Sequence, residues 1–272
     1  MKIGVSTASL FLRKNNEEAL PLFNELGVRT AEVFLTTYSE YGQEFAEQLK
    51  TVQGKVQVNS VHVLNTQFEP QLFSSHPRAK ADAYFWLDKT LASARILGAP
   101  FYTFHGTARV KKASRSGKYD DFPRMIQGFE ELCAHCEKQG VLLALENVEW
   151  ATYNRVGVFS TLKKQVPSLK GVLDIKQARL SGEPYENYLE EMGESLAYVH
   201  ISDIGENGKM CLPMQGKFDF DGLIERLKGV GFQGALIIEA YAKDYAREEE
   251  LKISYDQLSE LLYKHGCLSS SL

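Results

Sequence analysis

The chain has 272 residues, 44% of them hydrophobic and 24% charged, a balance that allows a sizeable folded core. Its 31 Lys and Arg against 35 Asp and Glu leave a net charge of -4 with no basic tail or stripe, which argues against nucleic acid as a partner. No stretch approaches the roughly 20 apolar residues of a membrane span, and MKIGVSTASLF runs too soon into KNNEE for a signal peptide. The expectation is a cytoplasmic protein that engages neither nucleic acid nor membrane. Cys133, Cys136, Cys211 and Cys267 form no disulfide framework in a chain of this length, which fits a reducing compartment.

Apolar periodicity predicts a strand at 2–7, then a helix from Asn16 to Leu26 closed by Gly27. The same unit then repeats. Strands are expected at 30–35, 56–63, 100–105, 141–146, 170–174, 196–201 and 235–239. Helices are expected between them at about 42–53, 77–97, 120–139, 158–165, 185–192, 219–230 and 247–263. Gly98, Gly140 and Gly231 stand where helices should stop. This alternation demands a parallel sheet, and eight units in roughly 250 residues is the size of a (β/α)8 TIM barrel. With no linker or composition break, residues 1–272 are expected to form a single α/β barrel domain whose tail CLSSSL frays.

Four of the expected strands close on a metal-binding residue: VLLALE on Glu146, LKGVLD on Asp174, AYVH on His200 and ALIIE on Glu239. KVQVNSVH adds His62 and PFYTFH adds His105. In a parallel barrel all of these sit at the carboxyl ends of strands, the face that carries barrel active sites. Carboxylates gathered at one mouth repel unless a cation neutralises them, and three carboxylates with one imidazole form an oxygen-rich site for one divalent ion: manganese, cobalt, magnesium or zinc. Such an ion polarises a ketone and its neighbouring hydroxyl, so that a carboxylate can take the proton between them.

The runs LALENVEW, GVLDIKQA, YVHISD and CLPMQGKFDFDGLIERLKGVGFQGALIIEAY resemble the xylose isomerase-like barrel superfamily, in particular its sugar phosphate isomerase/epimerase and endonuclease IV-like branch. The resemblance covers nearly the whole chain. It implies that Glu146, Asp174, His200 and Glu239 hold one divalent ion, often manganese. It also implies that Glu146 and Glu239 double as acid and base, with Asp174 and His200 as ligands only. Two departures bear on this. Many relatives have a His three residues after the metal Asp, where this chain has Gln177, and a His before Leu-Pro, where it has Cys211. Both positions are His in a three-zinc phosphodiesterase site, so a single ion is expected, although His62 and His105 match two other ligands of that site. Gln177 can still bond a sugar hydroxyl.

The leading expectation is a metal-dependent isomerase or epimerase of a small sugar, sugar phosphate or related hydroxy-ketone, working through an enediolate. Its rivals are a dehydratase or lyase of a cyclic polyol or dehydroshikimate-like acid, an endonuclease IV-like phosphodiesterase, and a non-catalytic barrel. His62, His105, Gln177, Lys209 and Trp150 are the substrate-binding candidates, and Phe11 could help to wall the pocket. Glu32 is placed near the mouth as a residue that orders a ligand. Cys133 and Cys136 read as helix and core residues, and the basic segment 108–118 as a solvated loop or lid. A homo-oligomer remains open.

Overall fold

The computed structural model describes residues 1–64, 68–107 and 122–267. Eight parallel strands close into a barrel: β1 (Lys2–Ser6), β2 (Thr30–Leu35), β3 (Gln57–Val63), β4 (Phe101–Phe104), β5 (Leu142–Glu146), β6 (Lys170–Asp174), β7 (Leu196–Ile201) and β8 (Ala235–Ile238). Each strand pairs with its sequence neighbours, and β1 closes the ring on β8 with Lys2 opposite Ala235 and Val5 opposite Ile238. Nine helices among the described residues surround it: α1 (Asn16–Glu25), α2 (Gln43–Val52), α3 (Pro77–Leu97), α4 (Phe122–Lys138), α5 (Val158–Gln165), α6 (Ile175–Leu180), α7 (Tyr185–Met192), α8 (Phe220–Gly229) and α9 (Glu248–Lys264). The fold is the expected TIM barrel.

The period of two along a strand divides its side chains between two cores. Ala144, Val172, Tyr198, Ala235 and Ile237 form a small cluster with Phe101 inside the barrel, joined by the adjacent Ala197, which the register shift between β6 and β7 skips. Leu145, Leu173, Val199, Leu236 and Ile238 belong to the much larger cluster shared with the helices. Strands buried on both faces read as unbroken apolar runs, which is why ALII and VLLAL were recognisable in the sequence. Truncating one of these packed leucines to Ala would cost about 2–5 kcal/mol.

Three details differ from the sequence expectation. The described residues hold nine helices rather than eight, because the six-residue α6 follows Asp174 directly and is too short to show helical periodicity. Two-residue strands at Asp203–Ile204 and Met210–Cys211 form a hairpin after β7. His105 and Glu239 lie one residue past the last residues of β4 and β8, and His62 one residue before the end of β3, since ladder hydrogen bonding stops at different heights around the rim. Cys133 and Cys136 are buried in the α4 core, as expected. Segment 108–118 and the residues after Cys267 lie outside the described residues.

Candidate active site

Parity places the site. Each of the four proposed ligands stands two residues beyond a member of the barrel-interior cluster: Glu146 after Ala144, Asp174 after Val172, His200 after Tyr198 and Glu239 after Ile237. Each therefore continues the inward-facing row at the carboxyl mouth. One donor atom from each lies within 4.8 Å of the others. Glu146, Asp174 and His200 are 1–2% exposed and Glu239 is 9% exposed, so their charges are largely shielded from water. Two further groups meet the same proximity, His62 with His105 and Glu146, and Glu32 with His62 and Glu239.

His200 is the hinge of the arrangement. Its Nδ1 lies 3.2 Å from Glu146 Oε1 and 3.4 Å from Glu239 Oε2, while its Nε2 lies 3.1 Å from Glu32 Oε1. Glu32 is fully buried on β2, with Ser6 of β1 and Ser60 of β3 directly beside it in register. Both serines donate to its carboxylate, at 3.1 and 2.8 Å, and Thr103 Oγ1 donates at 2.7 Å. A buried carboxylate so well supplied with donors can fix the outer nitrogen of His200 and turn the inner one to the cavity. Burial alone would raise the Glu32 carboxyl, but His200 and His62 hold it well below the usual carboxylate range.

Asp174 divides its two oxygens. Oδ1 accepts the backbone N–H of Gln177 at 2.8 Å and so caps α6, while Oδ2 faces Lys176 Nζ at 3.6 Å. Asn147 grips the Asp174 backbone in both senses, donating to its carbonyl at 2.9 Å and accepting from its N–H at 2.7 Å. Burial, with the Glu146 and Glu239 carboxylates adding to it, pushes Asp174 up to about 7 against the opposing pull of Lys176. Burial likewise works against a charged Glu146, yet His200 and His105 keep it well below its ordinary value.

His62 and His105 face each other through their Nε2 atoms at 3.1 Å, so one ring must donate and the other accept. His105 Nε2 also lies 3.0 Å from Glu146 Oε2, and Glu69 Oε2 lies 3.6 Å from His105 Nδ1. Burial disfavours the His105 imidazolium, but these two carboxylates outweigh it and raise His105 to about 10. Glu69 is itself fixed by the Tyr102 hydroxyl, which donates to it at 2.7 Å. The turn after His105 requires Gly106: its φ is +83°, and a Cβ there would meet Thr152 Oγ1 at 2.4 Å.

The remaining candidates are distributed unevenly. Trp150, 43% exposed, sets its ring 5.4 Å from that of His105. Phe11 packs edge-on against Phe34, which in turn lies 5.0 Å from the His62 ring. Gln177 is buried, with its Oε1 accepting the Glu149 N–H at 3.2 Å, so that oxygen is already engaged. Lys209 is exposed on the hairpin, its N–H bonded to Asn207 Oδ1, and Cys211 is half-buried on the same hairpin. Sequence reasoning missed Lys176, Glu69 and Asn147. The available signal for Lys176 was a cation in the first turn of a helix that begins on an Asp, an unfavourable place for positive charge.

The sequence profile of the xylose isomerase-like TIM barrel family matches residues 20–261. The chain belongs to that family. Its curated relatives include the fructoselysine 3-epimerase of Escherichia coli O157:H7, 25% identical over 122 residues that cover 43% of this chain. That stretch is 44% of the enzyme, so the chain spans under half the length of the curated relative it matches. Among solved structures, the D-psicose 3-epimerase of Clostridium cellulolyticum H10 determined with D-tagatose superimposes with a TM-score of 0.76 at 18% identity, over 97% of this chain and 99% of that one. A 3-keto-D-glucoside 4-epimerase from E. coli gives 0.71 at 17% identity, over 96% and 98% of the two chains. The IOLI protein with a bound zinc atom gives 0.76 at 17% identity, over 97% and 99%. At these identities the structural likeness establishes the fold.

The donor set of this xylose isomerase-like barrel suits a divalent ion. Three buried or nearly buried carboxylates, Glu146, Asp174 and Glu239, bring one oxygen each within 4.8 Å of a His200 nitrogen, with Lys176 beside Asp174 and Glu239 and His105 beside Glu146. Oxygen donors with one imidazole match manganese, cobalt, magnesium or zinc. No helix among the described residues is long and apolar enough to cross a membrane.

Proposed function

We propose that the chain is a divalent-ion-dependent isomerase or epimerase of a small sugar, sugar phosphate or related hydroxy-ketone, with Glu146 and Glu239 as its proton-transfer groups. The observation that carries this reading is the meeting of Glu146, Asp174, His200 and Glu239 at the carboxyl mouth of the barrel, within 4.8 Å of one another. These four residues would hold the ion. When bound, it would polarise a substrate carbonyl and the adjacent hydroxyl, making the intervening C–H acidic enough for a carboxylate to take the proton.

Glu146 ends β5 and Glu239 follows β8, with β6 and β7 between them, an arrangement in which the two carboxylates would reach a substrate carbon from different sides. His200 and His105 hold Glu146 ionised, the state a base requires. With one glutamate removing the proton and the other supplying one from the opposite face, the carbon inverts; delivery to the neighbouring carbon instead converts ketose to aldose. His62 and His105 would bond substrate hydroxyls, and Trp150 and Phe34 would shield the reacting carbon from water. Gln177 would contribute its amide N–H groups, since its oxygen is engaged. Lys209, out on the hairpin, would reach only an extended or anionic end of the substrate.

The ketose 3-epimerases among the relatives support a ketose over the cyclic acid of a lyase. The test is a panel of ketoses and cyclic acids incubated in deuterium oxide with protein supplied with manganese, cobalt, magnesium or zinc. A recovered ketose carrying solvent deuterium beside its carbonyl is expected. No exchange with any ketose, together with dehydration of a cyclic acid, would replace the proposal with the lyase.

A further inference from the structure

Lys176 takes no part in the mechanism above, yet its ammonium stands among the proposed ligands. It occupies the first turn of α6, two residues after Asp174, and is 8% exposed. Its Nζ lies 3.6 Å from Asp174 Oδ2 and 3.7 Å from Glu239 Oε2, and the Tyr241 ring lies against it with the centroid 4.7 Å away. Both carboxylate distances are beyond hydrogen-bond range, so among the described residues the ammonium is ion-paired without being hydrogen-bonded. A shielded ammonium with unused donors is expensive, and the start of a helix raises that cost. Its charge and its donors therefore both need a use within the cavity.

The charge has one. Lys176 sets a positive charge at the side where Asp174 and Glu239 meet, as His105 stands beside Glu146 on the other side of the group. The donors have one too, because a sugar brought to Glu239 carries its oxygens past Nζ, and each can accept a charge-assisted hydrogen bond. Tyr241 stacks against the ammonium and limits where it can turn.

We propose that Lys176 is a specificity-determining residue of this site, an ammonium that offsets the Asp174 and Glu239 carboxylates and donates to an oxygen of the sugar beside Glu239. The proposal rests on the functional reading above. It has two separable consequences. A fixed positive charge beside Asp174 and Glu239 opposes any second cation there, so its removal strengthens divalent-ion binding. Removal also deletes a substrate contact, which raises KM.

The experiment compares native protein with Lys176→Met, Lys176→Gln and Lys176→Arg. Each is stripped with chelator, checked for folding by circular dichroism and titrated calorimetrically with Mn2+. Kinetics follow on the ketose found by the exchange screen. Mn2+ should bind Lys176→Met and Lys176→Gln about tenfold tighter or more, and Lys176→Arg within about threefold of native. KM should rise about tenfold in the two neutral variants, because a charge-assisted hydrogen bond is lost. Either neutral variant, folded, with unchanged Mn2+ affinity overturns the proposal, as does tighter Mn2+ binding with an unchanged KM. Native protein that exchanges substrate protons normally while the neutral variants behave identically to it would overturn only the role of Lys176. Absence of Mn2+ binding in every form would overturn the functional reading with it.

Discussion

His200 and His265 each stand among carboxylates, three at the barrel mouth for the first and two on the outer surface for the second. His200 lies 3.1 Å from Glu32 and 3.2 Å from Glu146, with side chains no more than 3% exposed. His265 on the turn after α9 lies 2.9 Å from Asp221 and 2.6 Å from Glu225 of α8, whose carboxylates are 71% and 56% exposed. Both imidazoles are raised above their ordinary value, but for different reasons. At His200 burial opposes the charge and the Glu32, Glu239 and Glu146 carboxylates overcome it. At His265 two direct hydrogen bonds raise it with little burial to oppose them. Burial shields one set of charges from water and leaves the other an exposed surface tether.

The largest effect expected from breaking the buried cluster is that of His200→Ala, which should lose the divalent ion and turnover together, as read by calorimetric titration and by rate. His105→Ala should retain the ion and lose only turnover, because we place His105 in contact with substrate rather than ion; equal loss of affinity in the two would make His105 a ligand. Next comes Glu239→Gln, which keeps a carbonyl oxygen for the ion but removes a base. Turnover should fall by roughly a hundredfold or more with a modest loss of ion affinity, and Glu146→Gln should be similarly damaging. With one base left, either variant should still exchange a substrate proton with deuterated solvent from one face, and near-native turnover would leave that glutamate a ligand alone.

Glu32→Gln tests the outer partner of His200. Its loss should weaken ion affinity by about 10–100-fold while leaving all four proposed ligands in place, and unchanged affinity would mean that Glu32 is merely packed there. The smallest effect belongs to the surface cluster. The raised His265 favours the fold below its unfolded value of about 6.5, and that contribution disappears as pH rises through its higher folded value. Melting curves of native protein and His265→Gln should therefore separate slightly at low pH and coincide at high pH. A gap that widens with pH would contradict this account of the surface pair.

Much of the mouth was readable because burial on both faces of a barrel strand forces apolar runs, so that a Glu, Asp or His closing such a run stands out. Glu146, Asp174 and His200 are the last or nearly last residues of their strands, and Glu239 follows directly on β8. Glu32 was visible as a carboxylate inside TAEVFL, but its partners Ser6, Ser60 and Thr103 come from three other strands and are set by register, which no local pattern encodes. Lys176 was hidden because α6 has six residues, too few to show which side faces inward. Glu69 lies in a short 3-10 turn and reaches His105 only through tertiary folding.

The central claim is that Glu146, Asp174, His200 and Glu239 hold one divalent ion. Metal analysis of protein purified without chelator, native beside His200→Ala, tests it most directly. The account predicts one equivalent per chain that survives dialysis in the native protein and is absent from the variant. Two or three retained equivalents, or one that persists in His200→Ala, would contradict it.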